Sequence, residues 1–235
     1  MLKKVLSVSL ALIMVFGLTA CSEDDSKVGN DDNQTNTTDN KITKEERPFT
    51  ESNGLIKYFT IEGENVCLPE TVGEYVKYLE KIGTKVELGD TGKTVDEALD
   101  LNAGGVSSMV AFLKVYLDDS EDDWQWFGIR YKNDTDEDLP VADCKVTQIT
   151  LDYDTITEEE NHNGIDSIVF ITNEDEEIPM DGKYTSNKIY KLIGAAQQNT
   201  DGHLYYSDDQ GYKYEMVTEN QKGILTRVAI TYPED

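Results

Sequence analysis

The chain of 235 residues carries 47 Asp and Glu against 21 Lys and Arg, a formal charge of −26. A surface that acidic repels nucleic acid and anionic lipid headgroups, so both are poor partners for the body of the protein. Two histidines and three cysteines, with no Cys-x-x-Cys and no Cys/His cluster, speak against zinc or dithiol chemistry and leave no cofactor implied.

In chain order, the first signal is a basic pair, Lys3 and Lys4, followed by a nearly unbroken apolar run from Val5 to Leu18. A run of about 14 residues is short for a permanent membrane span but has the length of a secretory signal. It closes on Leu18-Thr19-Ala20-Cys21, which resembles the bacterial lipobox. The resemblance implies removal of residues 1–20 and transfer of a diacylglycerol to Cys21. Two acyl chains suffice for stable anchoring, which would hold the protein on the outer face of the cell membrane. Ser22 rather than Asp follows the cysteine, and Lys, Asp, Glu and Asn far outnumber Arg. Both features lean toward a Gram-positive surface. Residues 21–48 then read as the lipidated cysteine and a disordered tether, rich in Asp, Asn, Thr and Ser and without apolar periodicity. A flexible coil of that length spans roughly 30 Å.

Residues 49–156 read as a first folded stretch. Leu55–Ile61 and Val66–Leu68 have strand composition around the turn Glu62-Gly63-Glu64-Asn65. Thr71-Val72-Gly73-Glu74 has the pattern of a capping box, and Val72, Tyr75, Val76, Leu79 and Ile82 follow at helical spacing up to Gly83. Thr94-Val95-Asp96-Glu97 repeats the cap ahead of a short helix or turn. Strands are expected over Met109–Leu117, Trp124–Lys132 and Cys144–Tyr153, joined as an antiparallel meander by acidic loops. Residues 157–235 repeat that order. Ile165–Thr172 and Ile178-Pro179 come first, then a helix carrying Ile189, Leu192 and Ile193 before Gly194. Strands at His203–Ser207, Tyr212–Thr218 and Ile224–Tyr232 complete the series. Pro69 lies 14 positions before Gly83, and Pro179 lies 15 before Gly194.

The segment Gly182-Lys183-Tyr184-Thr185, with Ile189, Leu192 and Gly194, resembles the helix of β-lactamase-inhibitor-protein-like and SmpA/OmlA-like modules. Thr71 to Gly83 matches the same helix without its leading glycine. The whole ectodomain is similar to Firmicutes surface lipoproteins that join such modules in tandem. The resemblance implies an α+β fold: two tandem units, each a helix packed on a small antiparallel sheet, behind the signal peptide and tether. The inhibitor's disulfide inside each unit has no counterpart, and no binding residue carries over. With Cys21 lipidated, Cys67 and Cys144 remain as one candidate disulfide in an exported protein.

Catalytic patterns are missing. His162 sits in the turn sequence Asn161-His162-Asn163-Gly164, and His203 opens a strand; neither fits a zinc-protease or triad pattern. Asp134-x-Asp136-x-Asp138 begins like a calcium loop, but Leu139 stands where glycine is needed and Lys145 where the bidentate glutamate belongs, so no metal site follows. An enzyme is not expected. One surface does stand out. Alternation puts Leu113, Val115, Phe127 and Ile129 on one face of the first meander, and Phe112, Lys114, Tyr116, Trp124, Trp126 and Arg130 on the other, beside Gln148 and Thr150. Tyr205, Lys213, Glu215 and Arg227 would occupy the equivalent face of the second stretch. Aromatics mixed with Arg and Lys are the residue types of protein recognition. The expected function is therefore a lipid-anchored surface lipoprotein that binds another macromolecule, most plausibly a protein. The alternative is a structural or envelope-assembly scaffold whose sheets bury permanently against a partner.

Overall fold

Twelve strands, two short α-helices and one 3-10 turn (Val141–Asp143) account for the regular structure of residues 51–89, 91–107, 111–119, 123–152, 165, 167–219 and 223–234, the parts of the chain described by the computed structural model. All of them belong to the compact unit Arg47–Asp235. The signal peptide, Cys21, the tether and His162 lie outside the described residues.

The elements run β1 (Ile56–Ile61), β2 (Glu64–Cys67), α1 (Val72–Leu79), β3 (Lys85–Leu88), β4 (Ala111–Tyr116), β5 (Trp124–Lys132) and β6 (Lys145–Asp152). The second series is β7 (Ile168–Thr172), β8 (Glu177–Met180), α2 (Ser186–Ile193), β9 (Gln198–Thr200), β10 (His203–Ser207), β11 (Lys213–Glu219) and β12 (Ile224–Thr231). They form a four-stranded sheet in the order β2-β1-β7-β8 and an eight-stranded sheet in the order β3-β4-β5-β6-β12-β11-β10-β9. In each sheet the two series meet through equivalent strands, β1 with β7 and β6 with β12, both antiparallel. Equivalent strands pairing antiparallel is the arrangement a two-fold axis requires. Phe59 faces Phe170 across one junction, and Ile149 faces Ile230 across the other.

This corrects the α+β expectation. Among the described residues the protein is mostly β, with two large shared sheets and two eight-residue α-helices, rather than a helix on a small sheet in each unit. Each series contributes four strands to the large sheet, and one edge of each set, β6 or β12, is closed by the other series, while β3 and β9 remain the outer edges. A sheet edge left open would expose a row of unpaired N–H and C=O groups. The pattern of apolar residues along the chain marks strands but carries no information on this pairing.

Local chemistry accounts for the helices. The Thr71 hydroxyl accepts from the Glu74 N–H at 3.2 Å, satisfying one of the free donors at the start of α1, and the Glu74 carboxylate reaches back past the cap to the Glu70 N–H at 2.8 Å. Val72, Tyr75, Val76 and Leu79 line its buried stripe. Gly83 is needed for another reason than stopping the helix: a Cβ there would lie 2.5 Å from the Tyr116 carbonyl oxygen. Gly194 does cap α2, at φ 86°. The Thr94–Glu97 segment is a turn, in which Glu97 accepts from the Thr94 N–H at 3.2 Å.

A single core joins both sheets and both helices. From the eight-stranded sheet it takes Leu113 and Val115 of β4, Phe127 and Ile129 of β5, Ile149 and Leu151 of β6 and their counterparts on β10 to β12. Tyr75 of α1 meets Phe127 edge to face at 6.5 Å. Fully burying a side chain of this size contributes about 1.5–3 kcal/mol, so the inner face is where the stability of the sheet resides. Cys67 and Cys144 are also in this interior and are free thiols, so the candidate bridge between them is not formed. Cys144 Sγ donates to the Pro140 carbonyl at 3.5 Å.

Candidate functional site

The helices and the smaller sheet cover one face of the eight-stranded sheet; the other carries the residues singled out by alternation. The register makes this explicit. Trp126 stands opposite Lys114, and Lys114 opposite Glu87; Trp124 stands opposite Tyr116, and Tyr116 opposite Lys85. Residues directly opposite one another share a face.

The aromatic part is a packed cluster. Trp124 and Trp126 meet at 4.9 Å between ring centroids and 71° between planes, and Phe112 meets Trp126 at 5.9 Å and 68°. Such edge-to-face geometry suits the ring quadrupoles. Phe112 is the outermost, 48% exposed, while both tryptophans are half-buried. The Trp126 ring lies against Gly89 at the end of β3. A Cβ at that position would fall 2.0 Å from its Cζ3, so only glycine admits the ring there.

Lys114 places its ammonium 4.3 Å from the centroid of Tyr116 and 4.7 Å from that of Trp124. The attraction of a cation for an aromatic face holds an otherwise free lysine in place, at about 0.5–1 kcal/mol per exposed contact. Tyr116 itself is buried. It is a platform under Lys114 rather than a contact surface, and its hydroxyl donates to Glu87 Oε2 at 2.8 Å. The Lys85 ammonium, 2.7 Å from Glu87, holds that carboxyl below the usual carboxylate range against the opposing effect of burial. Arg130 is exposed.

The surface continues onto the second series. One row runs Phe112, Gly128, Thr150, Ala229, Glu215, Tyr205 and Gln198 across seven strands. The next runs Arg130, Gln148, Thr231 and Lys213, with the Gln148 amide donating to the Thr231 hydroxyl at 3.0 Å. His203 and Tyr205 both hydrogen-bond Glu215 Oε1, at 2.7 and 3.0 Å. Arg227 pairs with Asp152 at 2.7 Å. Five of the six residues named from the first meander form one cluster, Arg130 stands apart from it on the same face, and Tyr205, Lys213, Glu215 and Arg227 lie further along that face. Alternation did not reveal Gly89; only the close approach of the ring does.

Elsewhere, a cavity of about 560 Å³ opens beside α1, walled by Tyr78, Tyr212, Tyr232, Glu70 and Lys145 among others. Its groups form no nucleophile–base pair of the kind acyl transfer uses. Among the described residues no three His, Cys, Asp or Glu side chains converge as metal ligands, and the Asp134–Asp138 loop is instead tied down by Asn133, whose amide donates to the Leu101, Asn102 and Glu137 carbonyls. The chain matches no protein-family model, no curated protein and no solved structure.

Proposed function

We propose that this is a lipid-anchored binding protein of the cell surface, tethered through Cys21, that recognises another protein with the outer face of its eight-stranded sheet. The observation that supports the reading best is a sheet with one face in the core and the other left open, carrying Phe112, Trp124, Trp126, Lys114 and Arg130. Large aromatics and arginine dominate binding energy at protein interfaces, and here they lie adjacent on a rigid element. A permanently buried scaffold face would favour a broad apolar surface. This face instead interleaves aromatics with cations and hydrogen-bonded polar rows, the composition of a non-obligate interface. No bound metal or cofactor enters the reading.

The test is photo-crosslinking on intact cells, with a photoreactive residue at position 112 and, as control, at the exposed Asp175. A defined protein adduct from position 112 alone is the expected result. Identical adducts from both positions, or none from position 112, would sink the proposal.

A further inference from the structure

Charge on the outer face runs against the charge of the chain. The chain as a whole has 47 acids to 21 bases. On the outer face, the register rows of the sheet place Lys85, Lys114, Arg130, Lys213 and Arg227 against four carboxylates, Glu87, Asp152, Glu215 and Glu219.

Three of those carboxylates are already engaged, and Glu219 stands at the far end of β11, opposite Ile224. Glu87 is held by Lys85 and the Tyr116 hydroxyl, Asp152 by Arg227, and Glu215 by His203 and the Tyr205 hydroxyl. Three cations are left over. Lys114 forms no ion pair among the described residues: it lies on the rings of Tyr116 and Trp124, across from a Glu87 that Lys85 already holds. Arg130 and Lys213 are exposed and form no ion pair among the described residues. They stand in one row, separated by β6 and β12, which puts them about 14 Å apart at the usual strand spacing. Between them lie the Gln148 amide and the Thr231 hydroxyl. Beside this row the floor is low, because Gly128, Thr150 and Ala229 follow one another across the three central strands.

We propose that the partner of this face is an acidic protein segment. It would set carboxylates against Lys114, Arg130 and Lys213 and lay apolar side chains on Phe112 and the tryptophans. The inference rests on the reading of the outer face as the binding surface and adds the chemistry of what binds. The acidic chain as a whole repels such a partner, so the mismatch of sign favours its approach over the cations of this face. A second copy docking face to face would set cations against cations, which argues against a symmetric dimer here.

Short random peptides displayed on phage, selected on the full-length chain, test the proposal. Recovered peptides are then titrated against Arg130→Glu/Lys213→Glu and Phe112→Ala/Trp124→Ala, each checked for native circular dichroism. The expected peptides combine Asp and Glu with aromatic or aliphatic residues. Charge reversal should weaken them at least about tenfold, the ratio a lost or inverted charge contact of ordinary strength gives. Neutral or basic peptides that Phe112→Ala/Trp124→Ala abolishes would overturn the acidic partner and leave the binding face standing. Peptides indifferent to both variants, or no enrichment at all, would overturn the face itself. Self-association of the wild-type chain in sedimentation, lost on charge reversal, would name a second copy as occupant and overturn the choice of a separate partner.

Discussion

Trp126 and Phe127 are neighbours in sequence, have similar bulk, and point to opposite faces of β5. Truncating each to alanine separates what the two faces do. Phe127 is fully buried and meets Tyr75 of α1 at 6.5 Å. Its loss removes a large apolar side chain and leaves a cavity that the sheet cannot close, at a cost of about 3–5 kcal/mol. Trp126 is half-buried, and its contacts are two edge-to-face aromatic neighbours and the Gly89 backbone. Aromatic pairs are worth roughly 0.5–1.5 kcal/mol each beyond the area they bury. With part of that recovered as Phe112 and Trp124 close up, Trp126→Ala should cost about 1–2 kcal/mol. In a body of this size each kcal/mol moves the melting temperature about 2–4 °C. The expected shifts are thus a few degrees for Trp126→Ala and on the order of 10 °C or more for Phe127→Ala. Urea unfolding of the full-length chain, followed by far-UV circular dichroism, measures both costs. Equal destabilisation by the two substitutions would refute the division of labour between the faces, because the tryptophan would then be core.

Cys21→Ala should shift the protein out of the membrane fraction or block removal of residues 1–20, as fractionation and intact mass will show; unchanged processing and membrane association would contradict lipidation. Burial raises the Cys144 thiol from 9.0 to about 11 and, with Tyr190 adding, the Tyr206 phenol to about 12. Both groups hold their protons more tightly folded than unfolded, so the stability they contribute is complete below about pH 9 and is lost as the pH rises through 9–12. Absorbance at 295 nm and thiol reactivity should therefore rise together with alkaline unfolding, and early titration of both in the folded protein would count against it. Gly89→Ala should push the Trp126 ring off its seat and change the near-UV circular dichroism of the tryptophan pair while the far-UV spectrum stays native. An unchanged near-UV spectrum would mean that the ring does not rest on Gly89.

Period-two alternation is a property of the strand backbone itself, which is why both faces of β4 and β5 could be read from residue order alone. Leu113, Val115, Phe127 and Ile129 are in the core, and Phe112, Trp124, Trp126 and Arg130 are on the other side. Strand pairing is not local. β1 meets β7 across more than 100 residues of chain, and nothing in either segment names the other. The helices are the more conspicuous signal and the smaller part of the fold. Their apolar stripes are conspicuous, yet each is eight residues long, while strands such as β9, Gln-Asn-Thr with all three exposed, carry no apolar signal at all. Gly83 was legible as a break, but its reason is the Tyr116 carbonyl packed against it. Gln125 is fully buried on the core face of β5 with its amide unpartnered, at a position where alternation leads one to expect an apolar residue.

The duplicated arrangement of elements bears on why the tryptophans are there. β5 and β11 hold equivalent places, each directly beside β6 or β12 and flanked by antiparallel partners on both sides. Their core-facing residues are alike in kind, with Phe127 and Ile129 on β5 and Tyr214 and Met216 on β11, all fully buried. Their outward residues are not. β5 presents Trp124, Trp126 and Arg130, whereas β11 presents Lys213, Glu215 and Val217. The same strand in the same architecture forms with either outward set, so folding does not demand two adjacent tryptophans. Exposing such rings costs solubility and invites association. The two rings, with Lys114 held against Trp124, are therefore the residues on which the proposed binding role rests most directly.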